Sequence, residues 1–207
     1  MTATATTERP MCSQRSERES PAARRVTDVL EPRNWVIALL IVLGWNADGL
    51  AGVCWGLLTG LFAAILPVMF VRYGIRRWQW SSRHVSRRSE RLAALTFAIA
   101  SDAAGVIVLV AARAPHSMTG YLIGMLATSI VITAITTAWK ISVHCAVASA
   151  AVAMASLAYG PLVVGGYAPV ALVAWSRVAL REHTTAQVIA GVILGGMAGC
   201  ATFAAAR

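Results

Sequence analysis

Lysine is almost missing from this chain. It occurs once, at Lys140, and acidic residues number nine in 207. Charged residues of both signs reach 13%, about half the ~25% of an ordinary soluble protein, so most of the chain is not built to face water. Cysteine is scarce as well. Cys12, Cys54, Cys145 and Cys200 show no paired spacing, and three of them fall in apolar runs, where cysteine acts as a small hydrophobe. That excludes a disulfide framework and a cysteine metal site, and neither a metal nor a cofactor is expected. A signal peptide is not expected either, because the first 33 residues are polar and the apolar segment behind them continues into more of the same.

What is present is apolar sequence. Hydrophobic residues make up 57%, which points to lipid as the solvent. Residues 1–33 read as a polar, disordered cytoplasmic tail rich in Thr, Ser, Glu and Arg. Residues 34–207 read as one transmembrane helical domain, a single domain being the default at this length. Residues 35–71 are nearly all apolar; as one straight helix they would reach about 55 Å, too long for a single crossing of a ~30 Å core. Their one polar break, Trp45-Asn46-Ala47-Asp48-Gly49, reads as a turn between two crossings. Residues 72–91 carry seven arginines and a histidine and must leave the bilayer. Apolar runs follow at 92–112 and 119–139, split by Arg113-Ala114-Pro115-His116-Ser117, and at 145–159 and 161–175, split by Tyr159-Gly160-Pro161. Residues 176–183 are polar, and a last apolar helix covers 184–206.

The expected fold is therefore all-α: a polytopic transmembrane bundle of six to seven helices. Two crossings separate each polar cluster from the next, so parity brings three polar motif loops to one membrane face. That face and the tail carry sixteen of the eighteen basic residues, leaving Arg113 and Arg207 opposite, and the positive-inside rule places them in the cytoplasm. Of these, only the tail's six arginines are independent of an arginine-rich site. The expected location is a membrane, taken as the cytoplasmic membrane of a bacterium, with membrane lipids as neighbours. The net charge of +9 is divided between apolar runs and forms no single stripe, so nucleic acid is not an expected partner. Seventeen of the basic residues are arginine, a bias that suits bidentate phosphate binding and equally GC-rich coding.

The most informative cluster is Ser176-Arg177-Val178-Ala179-Leu180-Arg181-Glu182-His183-Thr184-Thr185-Ala186-Gln187. Here an arginine precedes by six residues a histidine at the start of a helix, and Gln187 shares the histidine's helix face one turn on. A helix N-terminus offers free N–H groups and positive dipole, which favour a bound phosphate and a neutral, nucleophilic imidazole. The middle cluster is Trp139-Lys140-Ile141-Ser142-Val143-His144, and the first is Arg83-His84-Val85-Ser86-Arg87-Arg88-Ser89-Glu90-Arg91-Leu92.

Taken in order, the three clusters resemble the motifs of the type 2 phosphatidic-acid phosphatase superfamily over residues 35–206. The third is similar to that family's Ser-Arg, five residues, His, three residues, Asp, with Gln187 in the aspartate's place. The second is similar to Pro-Ser-Gly-His, with Ser142 and His144 matching and Val143 where glycine is usual. The first is similar to Lys, six residues, Arg-Pro, with His84, Arg91 and Leu92 at those positions. The resemblance implies a metal-independent hydrolase in which His183 attacks phosphorus to form a phosphohistidine. Arg91, Arg177, Ser142, Lys140 and His84 would hold the phosphoryl oxygens. His144 would protonate the leaving oxygen and then activate water. Gln187 would accept the nucleophile's N–H without supplying the charge of an aspartate.

Plainer roles cover other polar residues. Arg72, Arg76, Arg77 and Arg113 read as interfacial anchors, and Trp35, Trp78, Trp80, Trp139 and Trp175 as an interfacial belt. His116 reads as structural, and Asn46 and Asp48 as turn residues. Asp102, in the middle of an apolar run, costs on the order of 3 kcal/mol if ionised; a structural and a substrate-pocket role both remain open. The function read from these residues is hydrolysis of a lipid phosphate monoester or diphosphate, with a polyprenyl (isoprenoid) phosphate or prenyl diphosphate as first substrate. Two alternatives stand beside it: a prenyl-diphosphate transferase or cyclase on the same fold, and a non-catalytic lipid-binding protein.

Overall fold

The computed structural model describes residues 20–80 and 87–205. Every regular element among them is helical, with no strand. Four helical stretches are long and apolar enough to cross a membrane: Pro21–Trp78, Arg88–Ala111, His116–Ala138 and Thr185–Thr202; two apolar helices, Val143–Tyr159 and Val163–Ala179, are shorter.

The first element among the described residues is α1 (Pro21–Val29), in the part of the sequence expected to be a disordered tail. Its cause is local. Ser20 caps the helix by accepting from the Ala23 N–H, and Pro21 takes the first helical position, where its missing N–H costs nothing. Ala23 and Thr27, one turn apart, are its buried face. Thr27 Oγ1 donates to Ser176 Oγ at 3.0 Å, and Ser176 passes its own proton to the Val173 carbonyl, so this segment is fastened beside Arg177.

Next comes α2 (Pro32–Gly60), which reverses where the sequence places a turn: Asp48 and Gly49 have non-helical backbone, Gly49 with φ 51°. The two arms then pack antiparallel through glycine, since a Cβ on Gly44 or Gly52 would overlap the other residue's carbonyl. The helix continues through a π-turn (Leu61–Ile65) into α3 (Leu66–Trp78). Pro67 explains the π-turn. Leu66 N–H bonds back to the Leu61 carbonyl, and Pro67 has no N–H to offer Phe62. The Phe62 carbonyl accepts instead from Ser101 Oγ at 2.7 Å. That hydroxyl belongs to α4 (Arg88–Ala111), so a local defect becomes a tie between helices.

The remaining helices are α5 (His116–Ala138), α6 (Val143–Tyr159), a 3₁₀ turn (Pro161–Gly166), α7 (Tyr167–Ala179) and α8 (Thr185–Ala205). The closest packing is between α6 and α8. Gly191, Gly195 and Gly199 stand one turn apart on α8, and a Cβ on each would meet the backbone of Ser142, Ala146 and Ala150 respectively. Small residues at four-residue spacing let backbones touch, which is how helices associate where no hydrophobic force separates them from lipid. The pairs rise together along both helices, so α6 and α8 run parallel and their N-termini lie at one end.

Candidate active site

That register sets Ser142, the N-cap of α6, against the first turns of α8, and His144, second residue of α6, lines one cavity with His183 from the segment leading into α8. The segment is built from two backbone motifs. Helix α7 runs four residues further than the sequence suggests and contains Ser176 and Arg177 in its last turns. It ends with Arg181 in the left-handed region at φ 53°. Arg181 N–H bonds the Val178 carbonyl at 2.9 Å and Glu182 N–H bonds the Arg177 carbonyl at 3.1 Å, the pattern of a Schellman cap. The chain then starts α8 with a capping box: Gln187 N–H donates to Thr184 Oγ1 at 3.4 Å, and Thr184 N–H donates to Gln187 Oε1 at 3.2 Å. His183 stands between the two caps, its N–H also on the Arg177 carbonyl at 3.2 Å. The six-residue step from arginine to histidine is therefore one helix stop and one helix start, back to back.

The His183 ring is buried, and its Nδ1 lies 3.2 Å from Gln187 Oε1. Because the Thr184 N–H fixes that oxygen as an acceptor, Nδ1 carries the proton and Nε2 keeps its lone pair. Burial pushes the His183 pKa down to about 3, helped by the positive charges of Lys140, Arg177 and Arg91, while the Gln187 hydrogen bond opposes the shift. The imidazole is neutral at any ordinary pH.

Arg177 is 1% exposed. One of its nitrogens, Nη2, pairs with the Glu182 carboxylate; Nε and Nη1 have no partner among the described residues. A buried guanidinium with unused donors is costly unless an anion completes it. Lys140 Nζ donates to the Glu182 carbonyl at 2.5 Å. Burial, then Arg91 and Arg177, hold its ammonium below the usual lysine range.

Arg91, His144, Arg177 and His183 line one cavity of about 240 Å³. Its other walls are largely apolar, among them Val36, Ala64, Val68, Leu95 and Ile132. A cationic head and an apolar body in one cavity suit an amphiphile with an anionic head group. Arg33 and Arg72 also border it. Asp102 is buried and accepts from Ser129 Oγ at 3.3 Å, and Ser129 lines the same cavity.

Of the residues picked from sequence, the structure thus gathers Arg91, His144, Arg177, His183 and, through its bond to His183, Gln187. Lys140 stands at the edge, in a neighbouring cavity. Ser142 is fully buried, and its hydroxyl caps α6 by accepting from the Cys145 N–H. Its own N–H bonds the Gln187 carbonyl at 3.3 Å. Its place is in the joint between the two helices. His84 lies outside the described residues. Arg72, read as an anchor, borders the cavity, and nothing in its sequence context distinguishes it from Arg76 or Arg77. The glycine ladder of α8 and the Thr184/Gln187 capping box carry legible signals, a four-residue repeat of glycine and Thr-x-x-Gln.

Comparison with protein-family models, with curated proteins and with solved structures gives no match. The class of protein that fold and cavity define is an all-helical protein with membrane-spanning helices and a cationic, histidine-bearing cavity.

Proposed function

We propose that the chain is an integral-membrane phosphatase of lipid phosphates, similar to the type 2 phosphatidic-acid phosphatase superfamily, acting on a polyprenyl phosphate or diphosphate. In this reading six to seven helices cross the bilayer, the three polar loops share one face, and the tail's arginines hold that face in the cytoplasm. The observation that carries the reading is a neutral His183, its Nδ1 turned to Gln187, in one cavity with a buried Arg177 whose Nε and Nη1 have no partner among the described residues. The cavity's other walls are largely apolar.

The lipid's phosphoryl group sits against Arg177 and Arg91 with its tail along the apolar wall. His183 Nε2 attacks phosphorus as the P–O bond to the lipid breaks, and His144 gives a proton to the departing oxygen. The arginines hold the charge that gathers on the equatorial oxygens. His144, now neutral, takes a proton from water as that water attacks phosphorus, the P–N bond breaks, and inorganic phosphate leaves. Gln187 keeps the Nδ1 proton in place throughout, and Lys140 adds positive charge from the edge.

The experiment is phosphate release from farnesyl diphosphate, farnesyl monophosphate and phosphatidate by the purified chain in detergent. His183→Ala should abolish release, His144→Ala should nearly do so, and His116→Ala should do little. Equal loss in all three would sink the reading, and a terpene in place of a simple alcohol or monophosphate product would favour the transferase or cyclase alternative.

A further inference from the structure

We infer that this chain has a second anion subsite, formed by Arg88, Thr136 and Lys140 with Arg91 shared, which holds the phosphoryl group of a diphosphate that is not under attack. The inference rests on the phosphatase reading and narrows its substrate from monoester to diphosphate.

A second cavity of about 110 Å³ is lined by Arg88, Arg91, Thr136, Ala138 and Lys140. Arg91 also lines the larger cavity that His183 lines, so the two spaces share one arginine. Three cations around so small a space repel one another; of the nearby carboxylates, Glu90 lies 3.9 Å from Arg87 and Glu182 pairs with Arg177. Lys140 spends one of its three donors on the Glu182 carbonyl.

Thr136 is the independent mark of a ligand. Threonine in a helix commonly turns its hydroxyl to the carbonyl one turn back, as Thr128, Thr133 and Thr202 do here at 2.6–2.7 Å. Thr136, at 3% exposure, has no partner for its hydroxyl among the described residues, and it borders the cavity. A hydroxyl and three cations in a space beside the reacting phosphate form a phosphate-type site. A monoester would leave it empty, whereas adjacent phosphoryl groups of one diphosphate would fill both spaces, with Arg91 between them.

The test compares farnesyl diphosphate with farnesyl monophosphate, one tail and two head groups, using the full chain in detergent. Thr136→Val and Arg88→Gln should each lower the ratio of kcat/KM for diphosphate over monophosphate by about tenfold, the order expected for one hydrogen bond to a charged group. Arg181→Gln removes a cation outside both cavities and controls for general loss of charge. An unaltered ratio in both variants, or an equal fall in Arg181→Gln, overturns the inference. If the wild-type chain releases phosphate from neither lipid, the phosphatase reading fails, and the subsite is then read by binding alone. In that case inorganic pyrophosphate should raise the melting temperature more than inorganic phosphate, and Thr136→Val and Arg88→Gln should erase the difference. Equal shifts by the two anions in the wild-type chain would refute the subsite.

Discussion

Gln187 Oε1 accepts from both the His183 ring and the Thr184 backbone, at 3.2 Å in each case. One amide therefore starts a helix and fixes the tautomer of the proposed nucleophile. Gln187→Leu should remove both effects, costing about 1 kcal/mol for the lost cap and lowering turnover more than substrate binding. Gln187→Glu keeps the reach and adds a charge, so it should retain the cap, raise the His183 pKa and stabilise the cation that forms on phosphorylation. Thermal melts with kcat and KM for both variants separate the roles. A Leu variant with unaltered kcat would remove Gln187 from the chemistry.

The depressed pKa of His183 has a sign that can be checked. The ordinary value is 6.5 and the folded value about 3, so between these limits the unfolded chain binds a proton the folded chain does not. Stability supplied at neutral pH is therefore lost as pH falls from about 6.5 toward 3. Histidine-labelled NMR should find the His183 ring neutral from pH 8 down to at least 5, with His183→Ala giving the assignment. The cations that depress it are the groups that would bind phosphate, so saturating vanadate should raise its pKa. Protonation near 6.5 without ligand would contradict the buried, cation-flanked site.

The proposed active site also depends on residues that touch no substrate. A Cβ at Gly195 would overlap the Ala146 carbonyl, whereas one at Gly165 meets nothing within 4 Å. Gly195→Ala should destabilise the chain by about 1–3 kcal/mol, the usual range for overpacking, and reduce turnover by parting His144 from His183. Gly165→Ala should do neither. Melting curves and phosphate release on the pair of variants give the answer, and a harmless Gly195→Ala would mean that α6 and α8 are not held by backbone contact.

Much of this arrangement is legible in the sequence where the signal is local. The Asn46-Ala47-Asp48-Gly49 break marks the reversal because residues that favour turns interrupt an otherwise apolar run. The polar clusters mark the ends of helices for the same reason. Helix α1 is less visible because arginine and glutamate dominate the composition around it, although Ser20-Pro21 is a start signal and Ala23 and Thr27 share a face. The extension of α7 past Trp175 is hidden because its Schellman cap uses Arg181 in a conformation usually given to glycine. Ser142 reads as a phosphate ligand by motif, but its burial depends on how closely Gly191 lets α8 approach, a property of two helices together. Arg88 and Thr136 lie 48 positions apart and meet only because α4 and α5 pair in the fold.

Glu182 supplies the last test, because its carboxylate takes the Nη2 donor of Arg177 that an incoming phosphate would compete for. Glu182→Gln keeps the backbone bonds that end α7 and removes the internal counter-ion. Without anion the variant should melt lower, since Arg177 is then buried with less compensation; with vanadate it should recover, and its vanadate affinity should exceed that of the wild-type chain. Arg177→Lys places a point charge where a planar fork stood and should cost on the order of 10²- to 10³-fold in kcat, the usual effect of losing a donor to a developing oxyanion. If Glu182→Gln instead weakened vanadate binding, the carboxylate would be orienting Arg177 for the phosphate, and its pairing with Nη2 would be part of the binding geometry.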